Sequence, residues 1–306
     1  MAVTAMTLVP ALGARFVPSE SPLGPAARML DSLAPWLLAL GAVGAVAVLA
    51  ARARVAGGVL LTMSLAGAAG LAVSHRALSL PNLVGVEADL RLVFLNAQSD
   101  NAAYSGRMAA AALAADADVM VFVEGEALYD ALPQIAETHE VVTRCDLNDC
   151  PLIIASRLPV LRAWQLTLNP IWPERYGVAE LELADGRRIF ISVAHLTKPF
   201  FSGVAETELD RLAAQYDWID GPVVAVGDFN AAPWSRPVTR LLERTGHRAT
   251  RRTPGTWPAQ VGPLGVPIDL ALVHNGARIV GIESFGGDLN SNHRGLLLDI
   301  AVPREQ

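Results

Sequence analysis

The chain has 306 residues, 52% of them hydrophobic, and a formal net charge of −6. That length holds one large domain and an accessory segment. Basic residues scattered along an acidic chain argue against a protein that lives on nucleic-acid backbones, which needs a basic stripe to displace counterions; duplex DNA is disfavoured rather than excluded, because bound divalent cations would add local positive charge.

In chain order, Met1 to Leu12 is apolar but too short to span a bilayer, and reads as an interfacial or disordered segment. Ser32 to Ala51 and Val55 to Ser74 follow, both free of charge. Each is close to the roughly 20 residues that a helix needs to cross a hydrocarbon core. Asp31 or Ser32 is placed to cap the first helix and Pro35 suits its first turn, while Gly41, Gly44, Gly67 and Gly70 would let two membrane helices approach closely. The expectation is a transmembrane helical hairpin over 32–76, preceded by an N-terminal segment at 1–31; two buried core helices are the alternative. A cleaved signal peptide fits poorly, because the first run begins late and a second follows at once. Arg52 and Arg54 in the turn favour a cytoplasmic turn with both termini outside, against the votes of Arg15, Arg28, Arg76 and Arg91.

Residues 77–89, with Pro81, read as a linker to a catalytic domain at 90–306. Strand-like LRLVFLN comes first, then a helix over Ala102 to Ala115 and the strand VMVFVE ending at Glu124. LIIAS is a short apolar strand, and Asp185-Gly186 between two alternating runs is a hairpin signal. A helix over Val204 to Trp218 should bury Leu209 and Leu212, and Pro233-Trp234-Ser235 offers a cap for a helix ending near Arg244. IDLALVH, ARIVGIES and LLLDIAV supply three more strands. Hairpins outnumber β-α-β units, so pairing should be largely antiparallel with helices covering the sheets. Cys145 and Cys150, the only cysteines, are either a small disulfide loop in an oxidising compartment or two free thiols.

Polar residues gather where apolar strands end: Asn96, Glu124, His195, Asp228 with Asn230, Asp269, and His293 before the last strand. Each alone is more often a solvated loop residue or a structural histidine; their joint placement is the signal. Mg²⁺ or Mn²⁺ takes oxygen ligands and keeps several waters, so a carboxylate and an amide suffice, and Glu124 and Asn96 fit. No cysteine-histidine spacing supports structural zinc, and no Gly-rich loop with Lys supports a triphosphate cradle.

The order NAQSDN, VFVEGE, ISVAHL, VVAVGDFNAAPWS, PIDLALV and SNHRGLLLDI, over roughly Leu90 to Val302, resembles the endonuclease/exonuclease/phosphatase superfamily, and is similar to its bacterial members with an N-terminal membrane anchor. The resemblance implies an α/β (α+β-like) four-layer sandwich, two mostly antiparallel sheets face to face with flanking helices. It implies that Glu124 binds metal and that Asn96 helps hold metal and phosphate. By the same resemblance Asp228 and Asn230 align the attacking water, His195 bonds the scissile phosphate, and Asp269 orients the acid/base His293. Two positions depart from the pattern. Asn292 stands on the metal side where the family usually carries an aspartate beside the catalytic histidine, and Gln98 stands where some relatives carry an aspartate.

Lys198, the only lysine, is expected to reach the substrate phosphate or its distal charge. Phe200 and Phe201 form either an apolar tip near lipid or substrate or simple packing, and Trp257 reads as core or site wall rather than a base-stacking platform. The function expected is a membrane-anchored, Mg²⁺- or Mn²⁺-dependent hydrolase that cleaves a phosphoester by direct attack of water. It would work at a bacterial inner membrane with its catalytic domain extracytoplasmic, on a lipid headgroup, a small phosphoester or a nucleic acid, and without an obligate protein partner. A nuclease using the same residues and a catalytically silent membrane scaffold are the alternatives.

Overall fold

Alternation along the strands builds three apolar layers. In β2 (Leu90–Asn96), Leu92 and Phe94 face one cluster while Val93 and Leu95 face another; in β3 (Val119–Val123), Val121 and Val123 part from Met120 and Phe122 in the same way. Successive side chains on a strand point to opposite faces, so a run that is apolar throughout must be covered on both. The computed structural model describes residues 2–146, 149–201 and 203–304.

Two sheets result. The first, of seven strands, follows the order β1 (Ser79–Leu80), β10 (Arg248–Thr250), β11 (Asp269–His274), β9 (Val223–Asp228), β8 (Arg188–His195), β7 (Tyr176–Glu182) and β6 (Val160–Leu166). The second, of six, follows β12 (Arg278–Phe285), β13 (Gly295–Ala301), β2, β3, β5 (Leu152–Ser156) and β4 (Glu140–Val141). Pairing is antiparallel except for β1 with β10, β2 with β3, and β8 with β9. Val121 and Ile154 of one sheet meet Val193 and Val226 of the other in the central core. Outside the seven-stranded sheet lie α7 (Val204–Tyr216) and α8 (Arg236–Thr245), which contribute Leu212, Leu241 and Leu242; outside the six-stranded sheet lie α5 (Ser105–Ala114) and α6 (Leu132–Ala136), which contribute Met108 and Ile135. The layers are helix, sheet, sheet, helix, as the sequence leads one to expect.

Four strands, β1, β4, β6 and β10, carry no usable sequence signal. β1, β4 and β10 are very short, and β6 is half-buried or exposed along its whole length, so it lacks an apolar face. Leu212 is buried under α7 while Leu209 is only partly so. Ser235 does stand before α8, but its hydroxyl donates to the Ala232 carbonyl and caps nothing. Cys145 and Cys150 form a disulfide.

The N-terminal region departs from the sequence expectation in several ways. Ala2–Gly13 is a helix, α1, packed through Leu8 and Ala11 on Leu38 of α3 (Ala34–Ala50). An additional helix, α2 (Gly24–Ser32), precedes α3, so Asp31 and Ser32 end one helix rather than cap the next, and Leu33 stands at the α3 N-cap without a side-chain bond. α4 (Arg54–Ala77) is long and apolar enough to cross a membrane, whereas α2 and α3 pass that test only together, as a pair bent by 74°. Cβ atoms added at Gly41, Gly44 and Gly67 would clash with Leu8, Thr4, and Leu12 with Leu38, so these glycines admit α1 as well as the hairpin partner; Gly70 faces open space. Within 77–89, Ser79–Leu80 is no free linker: it is β1, paired in parallel with β10.

Candidate active site

Register brings the functional groups together. His195 lies opposite Asp228, and Asp228 opposite Asp269, on the three adjacent strands β8, β9 and β11. A Cβ on Gly227 would sit 1.9 Å from the Ala194 carbonyl oxygen, so this close parallel pairing requires glycine there. Asn96 and Glu124 arrive on the neighbouring ends of β2 and β3 in the other sheet. Glu124 and Asn230 both hold left-handed backbone, with φ of 53° and 49°. Such strain in residues other than glycine costs on the order of 1–3 kcal/mol and gathers at functional sites.

The groups interlock. Asn96 Nδ2 donates to Asp228 Oδ2 at 3.1 Å and to Glu124 Oε1 at 3.4 Å. Ser99 N donates to Glu124 Oε2 at 2.9 Å, and Asn230 N to Asp228 Oδ1 at 2.8 Å. Asn230 Nδ2 donates to the Leu196 carbonyl at 2.8 Å. His293 Nδ1 lies 2.9 Å from Asp269 Oδ2, and its Nε2 lies 3.8 Å from Asp228 Oδ2. Ser291 braces this arrangement, donating to the Asn96 carbonyl at 2.7 Å and accepting from His293 N at 3.0 Å. His195 Nε2 lies 3.8 Å from Glu124 and 3.7 Å from Asp228. Its Nδ1 is buried without a partner among the described residues.

Charge follows geometry. Burial opposes a charged His293, yet Asp269 and Asp228 prevail and push its pKa up to about 9. Burial dominates at His195 and depresses it to about 4, against the pull of Asp228. Asp228 is raised, by burial first and then by Asp269. Burial also works against ionised Glu124, but the Ser99 amide, His195 and Asn96 together hold its carboxyl below the usual range. At neutral pH the cleft thus contains a cationic and a neutral histidine, and carboxylates of differing basicity.

Asp228, Asp269 and His293 present potential ligand atoms within 4.8 Å of one another. This buried trio is better read as a proton-handling cluster than as a metal cage, since His293 Nδ1 is already bonded to Asp269 and a hydrated Mg²⁺ needs an open side. Glu124 offers that side: its side chain is 22% exposed and lines the cleft. Its carboxylate oxygens carry the negative charge that a hard divalent cation seeks, and Asn96 beside it adds an amide oxygen, Oδ1, which here accepts from Gln98 N at 3.0 Å.

Of the remaining expected residues, Asn292 is exposed on the cleft rim, where its backbone N bonds Gln98 Oε1 at 2.8 Å. Lys198 lines the same cleft and is exposed. Sequence reasoning missed Arg175. It is half-buried, lies 5.6 Å from the Trp172 ring, and shares an adjoining recess with Glu124 and His195. Burial lowers its pKa against the pull of Glu124, Glu126, Glu208 and Asp228. Only its position one residue before a strand hints at a role. The sequence also gave no sign that Met29 and Leu33 reach the cleft.

Residues 93–293 match the family model described as Endonuclease/Exonuclease/phosphatase family. No curated protein matches the chain. Among solved structures, a D. rerio TDP2 complexed with single strand DNA product is similar at TM-score 0.57 and 15% identity, covering 70% of this chain and 99% of that one. An endonuclease/exonuclease/phosphatase from Bacteroides vulgatus gives 0.54 and 14%, with 70% and 99% covered. Sphingomyelinase C from Streptomyces griseocarneus gives 0.53 and 17%, with 68% and 98% covered. At these identities the likeness is one of fold.

Proposed function

Because the chain belongs to the endonuclease/exonuclease/phosphatase family over residues 93–293, we propose that it is a membrane-anchored phosphoester hydrolase in which water attacks phosphorus directly. The observation that carries this reading is the meeting of His293, held by Asp269, with Asp228 in the cleft that Glu124 lines. In-line displacement at phosphorus needs charge neutralised on the phosphoryl oxygens, an oriented water and a proton for the leaving oxygen.

Glu124 and Asn96, with Asn292 at the rim, would hold Mg²⁺ or Mn²⁺, which when bound supplies charge neutralisation at those oxygens. Asp228, whose carboxyl is raised and which accepts from the Asn230 amide, takes the proton of the attacking water. Asn230 helps to align that water. His293 is charged at neutral pH and donates to the leaving oxygen, while Asp269 fixes its orientation. His195, neutral at the same pH, hydrogen-bonds a phosphoryl oxygen, and Lys198 meets the substrate's charge. Arg175 joins them from the adjoining recess. Among the described residues no serine or cysteine side chain is paired with a base in the cleft, so no covalent phosphoenzyme is expected.

Residues 32–76 are proposed as the transmembrane hairpin, 1–31 as the segment before it, and 90–306 as the catalytic domain. The length and apolar character of α4 support the anchor, and the Cys145–Cys150 bond supports an extracytoplasmic domain at a bacterial inner membrane. The full chain in detergent should turn over a soluble phosphodiester or phosphomonoester with Mg²⁺ or Mn²⁺. That activity should disappear on chelation and fall by roughly 10²-fold or more in Asp228→Asn. If neither wild type nor Asn292→Asp turns over these esters, RNA, single-stranded or duplex DNA, or phospholipids, the silent-scaffold reading takes its place.

A further inference from the structure

Helix α2 is a wall of the catalytic cleft. Met29 and Leu33 line the same cavity, of about 540 Å³, as Glu124, Asp228 and His293. The helix is clamped in place from both sides. Arg28, which is buried, donates from Nε to the Pro199 carbonyl at 2.8 Å and pairs with Glu206 of α7. Asp31, also buried, accepts from Arg236 N at 2.6 Å. Trp234 Nε1 donates to the Ser32 carbonyl at 3.1 Å, and the Trp234 ring lies 5.8 Å from Trp36 of α3. The loop that follows Asn230 therefore fixes the position of α2 relative to the reacting groups.

The polar floor of this cleft has an apolar lip. Met29 is 47% exposed, Phe200 52% and Trp257 41%, and all three line the cavity. A phosphate group alone needs a fraction of that volume; cavities of roughly 300–1,000 Å³ bury ligands of drug size. Among the described residues the basic groups that line it are Lys198 on the rim and His293 on the floor, against the carboxylates of Asp100, Glu124 and Asp228. A nucleic-acid strand would find no basic track to follow. Immediately after Leu33 the chain bends by 74° into the apolar α3, so the lip adjoins the segment that would enter the bilayer.

We propose that Met29, Leu33, Phe200 and Trp257 form a subsite for the apolar tail of a membrane lipid whose phosphoester is presented to Asp228 and His293. The proposal rests on the phosphoester-hydrolase and membrane-anchor readings above. It also assigns the N-terminal segment a part in substrate choice beyond tethering.

The test uses the full chain reconstituted in vesicles of phosphatidylethanolamine, phosphatidylglycerol, cardiolipin and phosphatidic acid, with Mg²⁺ or Mn²⁺. Hydrolysis of these lipids is compared with that of soluble bis(p-nitrophenyl) phosphate and a single-stranded oligonucleotide. Wild type should hydrolyse at least one lipid, and should prefer its long-chain form to a monomeric short-chain analogue. In the double variant Met29→Gln/Phe200→Gln the ratio of lipid to soluble-ester turnover should fall about tenfold or more, as expected when apolar contacts set discrimination. An unchanged ratio, an absent chain-length preference, or a better rate on the oligonucleotide than on any lipid would overturn the subsite. Turnover of the soluble ester without any of the lipids would overturn it too, while leaving the hydrolase reading intact. If wild type is inert on every substrate, the hydrolase reading fails and the subsite fails with it.

Discussion

Strand β11 starts at Asp269, beneath the cleft, and ends at His274 at the opposite end of the strand, and a buried histidine of opposite character accompanies each end. His293, bonded to Asp269, is pushed up to about 9 because two carboxylates outweigh its burial. His247, stacked between Tyr216 at 4.1 Å and His274 at 4.8 Å, is depressed to about 3, by burial first and then by the charge of His274. Burial alone makes a silent, packed imidazole. Convergent carboxylates turn the same side chain into a cation held ready to release a proton.

Kinetics should separate the two ends most sharply. Asp228→Asn or His293→Ala should lower kcat on a soluble phosphodiester by roughly 10²- to 10⁴-fold, the usual share of general acid–base catalysis. His247→Phe should leave kcat within a few-fold, and a large loss there would break the comparison. A smaller effect sharpens it. Asp269→Asn removes the nearest source of the raised pKa, so the alkaline limb of the kcat profile, expected near 9 in wild type, should move to lower pH. Histidine NMR titration of His293 should move with that limb.

Asn292→Asp adds a carboxylate on the rim of the cleft that Glu124 also lines. Divalent affinity, read from activity against metal concentration, should strengthen by about tenfold, the scale on which neighbouring carboxylates tune metal sites. The smallest effects concern stability, in opposite pH windows. The folded pKa of His293 is raised above its ordinary 6.5, so its contribution is full below 6.5 and is lost as pH rises through about 9. That of His247 is depressed, so its contribution is present above 6.5 and is lost as pH falls from there toward about 3. Thermal melts of His293→Gln should flatten the alkaline window alone, and those of His247→Phe the acid window alone.

Much of the cleft was legible in the sequence for one physical reason. Strands buried on both faces are apolar throughout, so the polar groups at their ends, Asn96, Glu124, His195, Asp228 and Asp269, stand out. Register was not legible. Nothing in the linear order says that His195, Asp228 and Asp269 lie opposite one another, because pairing is settled by packing between distant strands. Arg175 escaped notice because a half-buried guanidinium is recognised by its surroundings rather than by any motif. Asp31 or Ser32 is a good cap by chemistry, yet neither caps α3. Tertiary contacts claim them instead: their side-chain oxygens accept from the backbone amides of Arg236 and Ala232. The edge strand β6 was missed because its largely uncovered faces need no apolar alternation.

The central claim is that water attacks phosphorus in the cleft that Asp228 and His293 line, with Asp269 holding His293 from behind. Single-turnover hydrolysis of a soluble phosphodiester by the full chain in ¹⁸O-labelled water, with Mg²⁺ or Mn²⁺, tests it most directly. The account predicts one ¹⁸O in the phosphate product and none in the alcohol, with product from Asp228→Asn formed roughly 10²-fold more slowly or slower still. Label in the alcohol, or labelled product formed equally well by Asp228→Asn, would contradict it.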